Sequence, residues 1–71
     1  MEYSFAPISV IIPTFNDAHY LQHCLETIKI QSKLPLEIIV VDDGSDNDNA
    51  YKIINSNFFS ALNIKFLKIK N

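Results

Sequence analysis

The chain has 71 residues, 48% of them apolar and 20% charged, with a formal net charge of −2. These values fit one small globular unit and exclude a long polar disordered chain, a collagen and a disulfide scaffold. The six basic residues are all lysines set against eight carboxylates, which leaves no broad basic footprint for nucleic acid.

The start, Met1-Glu2-Tyr3-Ser4, lacks a basic n-region and a long apolar stretch, so no signal peptide is expected. No apolar run approaches the roughly 18 residues of a membrane span. The first strong signal is Ile8-Ser9-Val10-Ile11-Ile12, mostly β-branched and nearly all apolar, stopped by Pro13. Such a run reads as a strand buried on both faces, over about 8–13. A helix is expected next, over about 17–32. Asn16 or Asp17 can cap its first turn, and Leu21, Cys24, Leu25 and Ile28 recur at spacings of three and four on one face. Pro35 restrains the residue before it and should end that helix. Glu37-Ile38-Ile39-Val40-Val41 is a second strand, over about 37–42, closed by Asp42-Asp43-Gly44-Ser45. A second helix is expected over about 48–60, capped by Asp46 or Asp48, with Tyr51, Ile54, Phe58 and Leu62 as its apolar stripe. Ile64 to Ile69, with lysines interleaved, forms a third strand over about 64–69.

The order is βαβαβ, which predicts an α/β fold with right-handed crossovers and a parallel sheet. Two helices cannot cover both faces of three such strands. Below roughly 70–80 residues a single core rarely supplies more than about 3–5 kcal/mol. The only cysteine, Cys24, cannot form an internal disulfide. Residues 1–71 are therefore expected to be the opening part of a larger domain.

In open α/β sheets ligands bind outside the carboxyl ends of the strands. Two segments lie there: Pro13-Thr14-Phe15-Asn16 and Asp42-Asp43-Gly44-Ser45. The second is rich in acceptors. An ionised aspartate accepts hydrogen bonds only, so it suits the N–H of a base and repels a bare phosphate. The single glycine excludes a Walker A loop and a GxGxxG turn.

Two motifs at this spacing carry a resemblance. An apolar strand ending in Pro13-Thr14-Phe15-Asn16, a helix with the step Leu21-Gln22-His23-Cys24-Leu25, and then Ile39-Val40-Val41-Asp42-Asp43-Gly44-Ser45 resemble the N-terminus of family-2 glycosyltransferases. The match is strong over about 40 residues and weaker over 50–71. The resemblance implies a Rossmann-like βαβαβ sheet, the incomplete first part of a GT-A domain. It implies nucleotide-sugar recognition by Pro13, Thr14, Phe15, Asn16, Asp42, Asp43, Gly44 and Ser45, with Asp43 on the base and Asp42 more structural. Phe15 stands where many relatives have Tyr, so a phenolic contact is missing.

The implied reaction moves a sugar from a nucleotide-diphosphate donor to an acceptor hydroxyl with inversion, in polysaccharide biosynthesis. The resemblance puts the catalytic base and the ligands of a divalent metal, Mn or Mg, beyond Asn71. The chain alone is then expected to be inactive. The expected partners are a nucleotide-sugar and a saccharide or lipid-linked acceptor, with no nucleic acid. The reaction is expected in the cytoplasm or at the cytoplasmic face of a membrane, any attachment coming through other segments. The alternatives are a non-catalytic nucleotide-binding or interaction module of the same fold, and an unrelated βαβ domain with a coincidental Asp-Asp-Gly-Ser turn.

Other residues read more plainly. Asp46-Asn47-Asp48 spells Asp-x-Asp but follows the wrong strand for a metal site. His19 and His23 lie four apart on a helix, without a third ligand at sensible spacing. Cys24 falls on the apolar stripe as a small core residue. Lys65, Lys68 and Lys70 read as the solvated face or edge of the third strand.

Overall fold

The computed structural model describes residues 4–70; Met1-Glu2-Tyr3 and Asn71 lie outside the described residues. Three parallel strands, β1 (Ser4–Thr14), β2 (Lys33–Asp43) and β3 (Ile64–Ile69), form one sheet in the order β1-β2-β3. Helix α1 (Ala18–Lys29) joins the first two strands. Helix α2 (Asn49–Ile54) and a 3-10 turn, Asn57–Phe59, join the last two. The βαβαβ order and the parallel sheet are as the sequence predicts.

Both long strands begin four residues earlier than expected, at Ser4 and Lys33 rather than at 8 and 37. Two prolines obscured this. Pro7 falls where the pairing of β1 with β2 shifts register, between Ala6 and Ser9. Pro35 pairs with Ala6, but β3 starts opposite Ile38. At Pro35 the central strand therefore has one neighbour only, the edge condition a strand proline needs. The reward for this extension is Leu34, which is fully buried.

The early start of β2 also shortens α1, which ends at Lys29 rather than near 32. Its N-cap is Asp17, whose Oδ1 accepts from Tyr20 N–H at 3.2 Å. Leu21 and Leu25 are fully buried, with Cys24 and Ile28 packed beside them, so the stripe is the one read from spacing.

The second helix differs more. It has six residues, and the stretch expected to be helical over 48–60 breaks after Ile54. Asn55 turns its Nδ2 back onto the carbonyl of Tyr51 at 2.8 Å, and Ser56 Oγ accepts from Phe58 N–H at 3.2 Å to start the 3-10 turn. Side chains that bond the backbone locally compete with helix continuation. The break changes the phase of the stripe: Ala50 and Phe59 are buried, while Tyr51 and Phe58 are exposed. Phe58 still has a role, since Lys29 Nζ lies 3.5 Å from its ring centroid and donates to its carbonyl at 2.5 Å, tying α1 to the turn. Asp46 is not the cap of α2; Asp48 occupies that position, without a side-chain capping bond.

The core lies on one face of the sheet. Ile12, Ile38 and Val40 point to it and meet Leu21, Leu25, Ala50, Phe59 and Leu62. The alternate residues point away. On that second face Ile11, Leu67 and Ile69 stay 64%, 56% and 49% exposed. A polar ladder crosses its N-terminal end, where Glu37 accepts from Ser9 Oγ at 2.6 Å and pairs with Lys65 at 3.0 Å. Ser9 first, and then Lys65, hold the Glu37 carboxyl below its ordinary range. Along β1 the outer edge has no strand beside it among the described residues.

One open apolar face and the outer edges of β1 and β3, unpaired among the described residues, make the 71-residue chain by itself prone to association. In sedimentation it should run as more than a monomer, and Ile11→Lys combined with Leu67→Lys should shift it toward monomer. A wild-type chain that sediments as a monomer and unfolds cooperatively at high temperature would contradict this.

Candidate functional site

Parallel pairing brings the carboxyl ends of the strands to one end of the sheet. Thr14 stands opposite Asp42, and Asp42 opposite Lys68. The loops that follow β1 and β2 are thus neighbours, as expected from the sequence. The way they meet was not legible there.

The connection starts at Asp42. Its side chain is 1% exposed, and its Oδ1 accepts from Ser45 N–H at 2.9 Å. This closes a tight turn that needs a left-handed residue inside it, and Gly44 supplies one at φ 79° without steric cost. The Ser45 hydroxyl then accepts from the backbone N–H of Asn16 at 2.8 Å. Asn16 is itself left-handed, at φ 49°, a conformation in which asparagine is enriched among non-glycine residues. Its Oδ1 accepts from Asp46 N–H at 2.8 Å, and its Nδ2 donates to Asp46 Oδ2 at 3.3 Å. Asp46 therefore belongs to the contact between the loops.

Three residues of the candidate set are thus joined: Asn16, Asp42 and Ser45. Thr14 lies beside them in register and is buried, with no partner for its Oγ1 among the described residues. A buried hydroxyl left unpaired costs about 1–3 kcal/mol. Asp43 is exposed, and among the described residues its carboxylate has no hydrogen bond or ion pair. Pro13 and Phe15 are exposed on the other loop.

A concavity of about 520 Å³ opens at this end of the sheet, lined by Gly44, Ser45, Lys68, Ile69 and Lys70. Gly44 and Ser45 were expected there, and the other three were not. In sequence the lysines look like strand-edge solvation, because alternation tells which face a residue takes but not which other loop lies at its level. Only the register of β3 on β2 puts Lys68 level with Asp42 and Ile69 level with Asp43. The loop after β2 therefore shares this concavity with Lys68 and Lys70. The arrangement offers an acceptor for an N–H donor and compensating positive charge for an anion.

No three His, Cys, Asp or Glu side chains among the described residues converge on a point that would hold a metal ion. His19 and His23 are both exposed on α1. No helix among the described residues is long and apolar enough to cross a membrane.

Residues 9–71 match the family model of glycosyl transferase family 2. The chain is 38% identical over 64 residues to the glycosyltransferase GlyG of Streptococcus pneumoniae serotype 4, covering 90% of this chain and 21% of that protein. It is 41% identical over 69 residues to the minor teichoic acid biosynthesis protein GgaA of Bacillus subtilis, covering 89% of this chain and 15% of that protein. Against the chondroitin synthase of Escherichia coli the identity is 30% over 64 residues, with 90% and 9% covered. The chain thus spans about a fifth or less of the length of these curated relatives. No solved structure matches it at a significant level.

The bond from Ser45 to Asp42 gives a direct test of the turn. In the full-length protein, Asp42→Ala should destabilise this unit by about 1–3 kcal/mol, the cost of a lost buried acceptor. Asp42→Asn keeps an acceptor oxygen and should recover more than half of that loss in denaturant unfolding. Equal losses in the two variants would show that this hydrogen bond does not carry the effect.

Proposed function

The chain belongs to glycosyl transferase family 2, and we propose that it is the nucleotide-recognition part of a protein that transfers a sugar from a nucleotide-diphosphate donor to an acceptor hydroxyl. The observation that carries this reading is the exposed, unpartnered Asp43 on a turn whose two ends are tied down. An ionised carboxylate accepts only, so Asp43 takes the N–H of the donor's base. Pro13, Thr14 and Phe15 border the base and ribose from the first loop, which Asn16 holds against the second. Gly44 and Ser45 line the concavity with backbone and hydroxyl, and Asp42 holds the turn rather than the donor.

The catalytic step itself lies with residues outside this chain. In the reading we favour, a general base there deprotonates the acceptor hydroxyl, and the sugar is transferred with inversion. The family resemblance also implies a divalent cation, Mn or Mg, on the diphosphate. The described residues do not fit a site for it, because no three potential ligands converge, and nothing proposed for Asp43 or Thr14 depends on one. The 71 residues alone are proposed to be inactive. The names of the similar proteins include teichoic acid biosynthesis and chondroitin synthase, which supports a saccharide or lipid-linked acceptor. We assign the reaction to the cytoplasm or the cytoplasmic face of a membrane.

Replacing Asp43 by Asn keeps the shape but removes the charge and puts a donor where an acceptor is needed. A hydrogen bond to a charged group contributes about 1.5–3 kcal/mol, so nucleoside diphosphate affinity should fall roughly ten- to a hundredfold. Calorimetric titration of the full-length protein reads this directly. An Asp43→Asn variant that binds like wild type would remove Asp43 from the site. A wild-type protein that binds the nucleotide but transfers no sugar would favour a non-catalytic module.

A further inference from the structure

Asn16 spends all three of its side-chain and N–H groups on the second loop. Its N–H goes to Ser45 Oγ at 2.8 Å, its Oδ1 accepts from Asp46 N–H at 2.8 Å, and its Nδ2 donates to Asp46 Oδ2 at 3.3 Å. The direction of the amide is fixed by its partners, since a backbone N–H only donates and a carboxylate only accepts. These bonds join segments 29 and 30 residues apart. Asn16 is also the residue just before the α1 cap, Asp17, so its position is set by the strand and helix on either side of it.

Asp43 and Gly44 lie between the two tied points. On one side is Asp42, buried in the central strand and bonded to Ser45. On the other are Ser45 and Asp46, both bonded to Asn16. Without Asn16 the turn would keep one attachment and lose the other. A carboxylate that must meet a base within hydrogen-bond geometry loses much of its value when its backbone swings by about 1 Å.

We infer that Asn16 is a positioning residue rather than a donor contact: it clamps Ser45 and Asp46, and so fixes Asp43 where the donor's base meets it. This inference rests on the nucleotide-sugar reading of the site. It predicts that the clamp is defined by complementarity, one donor against one acceptor, and not by the identity of either side chain. Asn16→Asp keeps the acceptor for Asp46 N–H and tolerates the left-handed backbone, but sets an oxygen against Asp46 Oδ2. Asp46→Asn keeps an oxygen for the Asn16 amide. The double variant rebuilds the pair in reverse, with the amide on 46 and the carboxylate on 16.

The test uses the full-length protein titrated with uridine, guanosine, cytidine, adenosine and thymidine diphosphates. The tightest of these becomes the probe. Amide exchange of the segment containing Ser45 and Asp46 is followed in parallel by mass spectrometry. Asn16→Asp should weaken the probe about tenfold, the order expected for a misplaced charged acceptor, and should speed exchange in that segment. Asp46→Asn should weaken it about two- to threefold. The double variant should return to within about threefold of wild type and regain slow exchange. A loss in Asn16→Asp that the double variant does not recover would make the Asn16 amide a direct donor contact and overturn the clamp. Unchanged affinity in Asn16→Asp would overturn it as well. Wild-type protein that binds none of the nucleotides would overturn the donor-site reading and the role of Asn16 in it. The exchange data would then still show whether the loops are clamped.

Discussion

Asp42 is the point on which this end of the molecule depends. It is the last buried residue of the central strand, it faces the core side of the sheet, and it is ionisable. A carboxylate in such a place needs hydrogen bonds to offset its lost hydration. The backbone N–H of Ser45 supplies one at 2.9 Å, and that bond bends the chain back over Gly44. The bend presents Asp43 outward and brings the Ser45 hydroxyl to the N–H of Asn16. The outward Asp43 and the placement of the Ser45 hydroxyl follow from satisfying one buried acid.

The same strand order that aligns these loops leaves the sheet half covered. With the order β1-β2-β3, both helices pack into the one core on a single face of the sheet. The apolar residues of the other face, Ile11, Leu67 and Ile69 among them, then have no cover within the described residues. A chain spanning about a fifth or less of its curated relatives would be expected to show this. The Ser9–Glu37–Lys65 ladder crosses that face where β3 begins, and Ile11, Leu67 and Ile69 lie on the side of it nearer the candidate site.

The site combines two chemistries that sequence reading had kept apart. Acceptors crowd the loop after β2, while Lys68 and Lys70 come from the end of β3 and share the concavity with Gly44 and Ser45. An acidic loop alone would repel a diphosphate. With Lys68 and Lys70 lining the same concavity, the local balance of charge is closer to even.

Much of this protein is determined by its sequence alone. The β-branched runs around Val10 and Ile39, the stripe Leu21-Cys24-Leu25-Ile28 and the two loop motifs set the βαβαβ order, the parallel sheet and the family. Local pattern and composition decide these things, and both are written in the chain. The element ends were less legible: Pro7 and Pro35 look like breaks, yet the first sits at a register shift and the second where β2 has a single neighbour. The second helix looked long because its apolar spacing continues, while Asn55 and Ser56 bond the backbone and end it. What only the tertiary structure decided is the wiring of the site. Asn16 meets Asp46 across 30 residues, Asp46 is a clamp and not a cap, and Lys68 comes level with Asp42. Such pairings depend on strand register and on where two loops arrive in space, and a residue's neighbours in sequence carry no record of either.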